Sequence, residues 1–519
     1  MPLERRPEIP VKRTDVVALD TEAQRVHHAD QLFGFGVAGS RGGPQCGTRL
    51  FKTPLFHHVS RFFQFGDRNT GTRHGQKARQ NHGFKKLAHA ALLGLICGAT
   101  PSVAQPIQPD DFLPFDPMQA EIGQLLFYDK ILSGNRNISC GTCHHHDLGG
   151  GDGISLGIGE GGVGLGPDRT IGTGDAMIRK RIPRNAPALW NLGHREIDVL
   201  FHDGRLEHSN VYGNEFNSPA QECLPTGFNS ILAAQAVFPL TAQFEMAGNP
   251  RENEIAGAVH DRIDAAWPIL AKRVRVIPKY GDLFVAAFDH IDSSDQVTIV
   301  EIANALGAFI GTEWQNHDSP YDTYLATRTP LDPAAERGRQ LFFGEANCAS
   351  CHSGPLMSDQ EFHAIGLPHI GPGRTRQFDP VVRDVGRMGE SDDLADAYRF
   401  RTPMLRNVAL TAPYGHNGTY PTLEGIVRHH LNPVAMRADW SRDMARLPRA
   451  DHIALIDFIA DQDTREIARQ EAAIAIAPVA LDDASVLDLV AFLNALTGIT
   501  AETRPLGRPD TVPSGLSVD

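Results

Sequence analysis

Cys140-Gly141-Thr142-Cys143-His144 and Cys348-Ala349-Ser350-Cys351-His352 are two copies of one five-residue pattern in a chain of 519 residues. Cys-x-x-Cys-His is the attachment signature of c-type haem. Two thiols at this spacing can form thioethers with the two vinyl groups of one porphyrin. The histidine that follows offers an imidazole to one axial face of the iron. A thioredoxin-like dithiol or half of a zinc ribbon also pairs its cysteines, but neither explains a histidine directly after each pair. The chain is therefore read as carrying two covalent haems c. Cys140, Cys143 and His144 serve the first, and Cys348, Cys351 and His352 serve the second.

The surroundings of the two motifs are related. Gly123-Gln-Leu-Leu-Phe-Tyr128 precedes the first and Gly338-Arg-Gln-Leu-Phe-Phe343 precedes the second. Each reads as an amphipathic helix that delivers the chain to its haem, so the sequence holds a degenerate internal repeat of long period. Apolar residues at helical spacing predict a strong helix over Val297 to Ile310, followed by a polar junction, Gln315-Asn-His-Asp-Ser-Pro320. A last helix is expected over Ala484 to Leu496, closed by Gly498. Gly149 to Gly174 is too rich in glycine for regular structure and is read as a loop beside the first haem. Few stretches alternate as strands do. The expected fold is mainly α, with two cytochrome c-like domains, each wrapping one covalently bound haem, and long loops.

At 41% hydrophobic and 21% charged residues the composition is that of a globular protein. The motifs use four of seven cysteines and leave Cys46, Cys97 and Cys223, so disulfides are not the organising principle. Lys85-Lys86, the apolar run Leu87 to Cys97 and Ser102-Val-Ala104 have the order of an export signal: basic, apolar, then small residues at a cleavage site. The run is short for a membrane span, and Ile96 is bulky where a lipoprotein signal wants a small residue before Cys97. The expected organisation is a leader at 1–84, a signal peptide at 85–104, a first haem domain at 105–325, a second at 326–500 and a tail at 501–519. Beyond Ala104 there remain 34 Lys and Arg against 55 Asp and Glu, a net charge of −21. Such a balance argues against nucleic acid and suits a basic redox partner.

Several further motifs resemble the bacterial di-haem cytochrome c peroxidase superfamily, which also contains the di-haem enzyme that matures the tryptophan tryptophylquinone of methylamine dehydrogenase. They are Leu126-Phe-Tyr-Asp-Lys-Ile-Leu-Ser133, Pro183-Arg-Asn-Ala-Pro187, Phe201-His-Asp-Gly-Arg205, Arg401 to Tyr414 (RTPMLRNVALTAPY) and Thr422-Leu-Glu-Gly-Ile-Val-Arg-His-His430. The resemblance covers roughly Asp116 to Gly498. It implies that the first haem, on His144, reacts with peroxide and the second, on His352, relays electrons. The superfamily's distal glutamine and its glutamate ten residues later fall on Gln235 and Glu245. A carboxylate there can shuttle the peroxide proton while an amide holds bound oxygen. The resemblance also implies a calcium ion on the Asn185 side chain and the backbone carbonyls of Thr411 and Pro413, oxygen ligands that suit calcium.

Three positions depart from the superfamily's pattern. Ile158-Gly159-Glu160-Gly161 has glutamate where many relatives carry a histidine that caps the resting first haem. His145 and His146, next to the proximal ligand, are read as surface or propionate-side residues. The relay haem's second axial ligand, usually methionine or tyrosine, falls on His430, with His429 beside it; an imidazole there lowers the reduction potential. His202 stands where relatives often have a tryptophan between the haems, and Trp190 is the candidate to replace that tryptophan.

The reading is a periplasmic peroxidase that reduces hydrogen peroxide with electrons from a small c-type cytochrome or a cupredoxin, and a second copy of the chain is an expected partner. Two alternatives stand beside it. One is an oxidase that uses peroxide to modify Trp or Tyr of a partner protein, and the other is a di-haem electron carrier without turnover.

Overall fold

The computed structural model describes residues 105–374 and 382–519. The leader at 1–84 with Cys46, and the signal peptide at 85–104 with Cys97, lie outside the described residues. Proline at the first helical position and an Asp116 carboxylate that accepts from the Gln119 N–H at 3.0 Å start helix α1, Pro117–Tyr128. One turn, Cys140–Cys143 (α2), follows. Ser230, accepting from Ala233 N–H, caps Ile231–Ala236 (α3). Thr298 and Glu301 form a reciprocal capping box on Ile299–Glu313 (α4), which is buried nearly all round.

The second half repeats the plan. Pro333–Phe343 (α5) leads to the second motif, Leu423–Leu431 (α6) carries His429 and His430, and Asp483–Asn494 (α7) closes the half. Strands are short: β1 (Val199–Leu200), β2 (Leu206–His208) and β3 (Phe216–Asn217) form an antiparallel sheet, and β4 (Phe362–His363) pairs with β5 (Phe400–Arg401). The described residues are mainly helical with long connections, and they belong to one compact unit.

The internal repeat has a structural counterpart. In each half the helix before the motif crosses the helix that ends the half, α1 on α4 and α5 on α7, with backbone against backbone. A Cβ on Gly123 would lie 1.9 Å from the Ala305 carbonyl oxygen, and one on Gly338 would lie 1.8 Å from that of Asp488. Only glycine permits either approach, and the two glycines open the repeated hexapeptides. Aromatic pairs match as well: the Phe127 and Phe309 rings are 5.1 Å apart, as are those of Phe342 and Phe492. Two apolar cores result. One gathers Phe127, Trp190, Leu232, Phe309 and Trp314, and the other gathers Phe342, Met357, Phe492 and Leu496.

Gly338→Ala is therefore expected to force α5 and α7 apart and to cost at least the roughly 1–3 kcal/mol usual for overpacking. Thermal melting of the variant beside wild type measures this, and an unchanged midpoint would contradict the backbone contact.

The segment read as a tail, 501–519, packs along the first half. The Glu313 carboxylate accepts from the backbone N–H groups of Leu506 and Gly507 at 2.8 Å each, and Ser514 Oγ donates to Asp129 at 2.6 Å. Asp519 accepts from the Thr142 hydroxyl inside the first motif and pairs with Lys130.

Candidate functional site

Ser139 N–H donates to the Thr142 hydroxyl at 2.9 Å and holds the α2 turn, which sets Cys140 and Cys143 on one wall of a cavity. His144 follows, its backbone N–H bonded to the Cys140 carbonyl at 2.9 Å. Its Nδ1 lies 3.0 Å from the Gly150 carbonyl. A carbonyl only accepts, so Nδ1 carries the proton and Nε2 keeps a lone pair for a metal. Burial lowers the His144 pKa, which also favours the neutral, ligating form. It pushes both thiols up to about 12, removing the thiolate character that a dithiol redox pair needs.

The cavity that they face has a volume of about 170 Å³. Gln235, on α3, and Glu245 also line it, so residues about 100 positions from the motif share its walls. Glu245 sits in a π-helix, Gln243–Ala247, a geometry that recurs at functional sites. Burial raises the Glu245 carboxyl above its ordinary range, while the guanidiniums of Arg205 and Arg374 pull the other way. The carboxyl is thus poised to exchange a proton.

Glu160 does not line this cavity. Its backbone N–H donates to the Glu245 carbonyl at 3.0 Å, and its carboxylate accepts from the side-chain amides of Asn135 at 2.7 Å and Asn137 at 3.0 Å. His145 is a buried residue, 5% exposed, with Nδ1 accepting from Asp147 N–H at 3.2 Å, which corrects the surface reading. His146 is partly buried, 3.5 Å from Glu313. Both are covered because the 501–519 segment runs over them. His202 lines the cavity and its Nε2 donates to the Asn185 carbonyl at 3.1 Å. Trp190 is buried beside the proximal loop, its indole N–H donating to the Gly149 carbonyl at 3.0 Å.

At the second motif the His352 backbone N–H donates to the Cys348 carbonyl at 2.9 Å, and its Nδ1 donates to the Met357 carbonyl at 3.0 Å. His430, on α6, donates from Nδ1 to the Ile426 carbonyl at 2.8 Å. Both rings therefore keep a free Nε2. Their centroids are 6.4 Å apart. Two imidazoles bound to opposite faces of one iron, each about 2.0 Å from it, have centroids roughly 6 Å apart, so the pair fits a single iron between them. His429 is closed to this role: Nε2–H donates to the Ile365 carbonyl at 2.7 Å and Nδ1 accepts from the Tyr420 hydroxyl at 3.0 Å.

Asn185 donates from its side-chain amide to the Ile154 carbonyl at 2.8 Å, and its backbone N–H donates to the His416 carbonyl at 2.9 Å. That places Asn185 against the loop that carries Thr411 and Pro413. The Thr411 hydroxyl is turned inward onto the Val408 carbonyl at 3.1 Å.

Sequence reasoning overlooked the charged lining of the first cavity: Asp152, Arg184, Arg205, Arg374 and Arg401. Asp152 is 1% exposed, and burial pushes its carboxyl up to about 7. Arg184, Arg205 and Arg401 stand inside the motifs quoted above, so the signal was present without a role attached to it.

Known proteins resemble this chain in sequence and fold. A family model described as di-haem cytochrome c peroxidase matches residues 117–329, a stretch with the first motif, Gln235 and Glu245. The methylamine utilization protein MauG of Methylorubrum extorquens is 27% identical over 353 residues, 67% of this chain and 79% of its own length. The cytochrome c551 peroxidase of Pseudomonas aeruginosa is 28% identical over 318 residues, 60% of this chain and 72% of its own. Among solved structures, a MauG-like protein associated with microbial copper homeostasis is 26% identical with a TM-score of 0.51; the match covers 79% of this chain and 99% of that one.

Proposed function

We propose that this chain, which resembles the di-haem cytochrome c peroxidases along residues 117–329 and over most of its relatives' length, is an exported di-haem c peroxidase. It would reduce hydrogen peroxide to water with electrons from a small c-type cytochrome or a cupredoxin. The observation that carries the reading is one cavity shared by Cys140, Cys143 and His144 with Gln235 and Glu245.

Cys140 and Cys143 would hold the first haem, with His144 Nε2 on its iron; Cys348 and Cys351 would hold the second, between His352 and His430. Bound haem would supply a redox-active iron at each site. The rest falls to the chain. The Gln235 amide orients peroxide by hydrogen bond. The Glu245 carboxylate takes the proton from one peroxide oxygen and returns it to the other, so that water can leave. With Glu160 held by Asn135 and Asn137, no side chain at that position competes for the cavity. Asn185 and the Thr411 and Pro413 carbonyls would hold calcium at the loop beside the cavity, through neutral oxygens. Among the described residues no helix is long and apolar enough to cross a membrane. Location in the periplasm rests on the export signal read at 85–104.

Steady-state assay with hydrogen peroxide and a reduced small cytochrome c tests the reading, and two cytochromes oxidised per peroxide consumed is the expected result. Peroxide consumed with little cytochrome oxidation, together with oxidised Trp or Tyr in a periplasmic partner, would move the conclusion to the protein-modifying oxidase. No consumption of peroxide would leave the electron carrier.

A further inference from the structure

Four arginines line the first cavity, and three are matched by carboxylates. Arg184 reaches Asp203 at 2.6 Å and Asp384 at 2.8 Å. Arg205 lies 3.0 Å from Asp203, and Arg374 is 3.4 Å from both Asp203 and Glu390. Arg401 differs. Its Nε donates to the Phe201 carbonyl at 3.2 Å, its Nη1 is buried without a partner, and no carboxylate pairs with it among the described residues. Burial alone pulls its pKa down to about 10. An unpaired guanidinium inside a protein is costly, and its planar fork suits a carboxylate.

The backbone around Arg401 is firmly tied. Arg401 N–H donates to the His202 carbonyl at 2.8 Å, and β5 pairs with β4. Thr402 N–H donates to the Glu361 carbonyl at 2.9 Å, and Ser358 Oγ donates to the Thr402 carbonyl at 2.8 Å. Ser358 follows Met357, whose carbonyl holds the His352 ring. A side chain fixed this well, charged and facing a cavity, is preorganised for a ligand.

We propose that Arg401 is the counter-ion of a propionate of the first haem. Every haem c brings two carboxylates with it, and Arg401 is the cavity cation without one. The inference rests on the reading that Cys140, Cys143 and His144 hold that haem. It adds that a residue of the second half, on the ribbon leading to the second proximal loop, grips the first cofactor.

Redox titration of the holoprotein, followed optically from pH 5 to pH 8, tests this in Arg401→Gln and Arg401→Lys. In Arg401→Gln the propionate loses its cation. At low pH it takes up a proton and the first haem's potential stays near the wild-type value. As pH rises the carboxylate becomes an unpaired anion, ferric iron is favoured, and the potential falls. Wild type should lack this step, Arg401→Lys should largely suppress it, and the second haem should keep its potential. Asp152 and Glu245 also titrate in the cavity, the arginines 184, 205 and 374 also charge it, and His202 is held down to about 4, below the range, by burial together with Arg184 and Arg401. All are common to the proteins compared, so the step is read as a difference.

A first-haem potential in Arg401→Gln that tracks wild type across the range would overturn the assignment. If Arg401→Gln does not accumulate, the propionate bending band of the first haem in resonance Raman decides from Arg401→Lys. A shifted band supports the contact and an unshifted one removes it. Failure of the underlying reading looks different, because haem released from wild type by acid–acetone refutes covalent attachment whatever Arg401 does.

Discussion

Glu245→Gln is expected to slow the reaction with hydrogen peroxide by on the order of a hundred- to ten-thousand-fold, the usual cost of removing a general acid–base group. The amide keeps the shape of the side chain and part of its hydrogen bonding, but cannot take a proton from one oxygen and return it to another. Both haems should stay attached and the ferric spectrum nearly unchanged. The pH dependence carries a second signature. Burial raises the Glu245 pKa against the pull of Arg205 and Arg374, so the carboxyl stays protonated to a higher pH than a free glutamate. Only the ionised form accepts the peroxide proton. The wild-type rate should therefore climb as pH rises through that raised value, and the climb should vanish in Glu245→Gln. Gln235→Ala should do less harm, because it removes an orienting hydrogen bond and leaves the proton carrier in place. Stopped-flow mixing with peroxide measures all three proteins. A wild-type rate in Glu245→Gln would take the residue out of the mechanism.

Which parts of this site could be read from the sequence follows from how each is encoded. The attachment motifs are contiguous, and the chemistry of two thiols and an imidazole fixes their spacing. Gly123 and Gly338 open hexapeptides whose likeness was visible, and both turn out to be points of backbone contact between helices. Gln235 and Glu245 were implied only by the resemblance to the superfamily's distal pair, and the π-helix that carries Glu245 was not foreseen. Other features depend on partners far away in the chain. Whether an arginine is matched depends on acids from separate segments: Arg184 meets Asp203 and Asp384, and no local pattern marks Arg401 as the one left over. The orientation of Glu160 is set by Asn135 and Asn137 on another loop. Residues 501–519 show no periodicity, and their packing rests on isolated polar bonds to Asp129, Lys130 and Glu313. That packing also buries His145, which beside His144 reads from the sequence as a surface or propionate-side residue.

The adjacent histidines of α6 allow a test in which neighbouring substitutions must give opposite results. His430 keeps a free Nε2 and faces His352 at 6.4 Å between ring centroids, whereas both nitrogens of His429 are engaged, by Tyr420 and Ile365. His430→Ala should convert the second haem from low spin to high spin. His430→Met should keep it low spin and raise its potential, because a thioether donates less strongly to ferric iron than an imidazole does. His429→Ala removes no ligand. It leaves the Ile365 carbonyl and the Tyr420 hydroxyl without their buried partner, a loss of about 1–3 kcal/mol, so the melting temperature should fall while the spin state holds. Electron paramagnetic resonance with optical redox titration reads the ligand, and thermal melting reads the packing. A low-spin signal that survives His430→Ala and is lost in His429→Ala would shift the ligand by one residue. It would also require α6 to turn by about 100°, the step between successive residues of a 3.6-residue helix, which would break the Ile365 and Tyr420 bonds seen here.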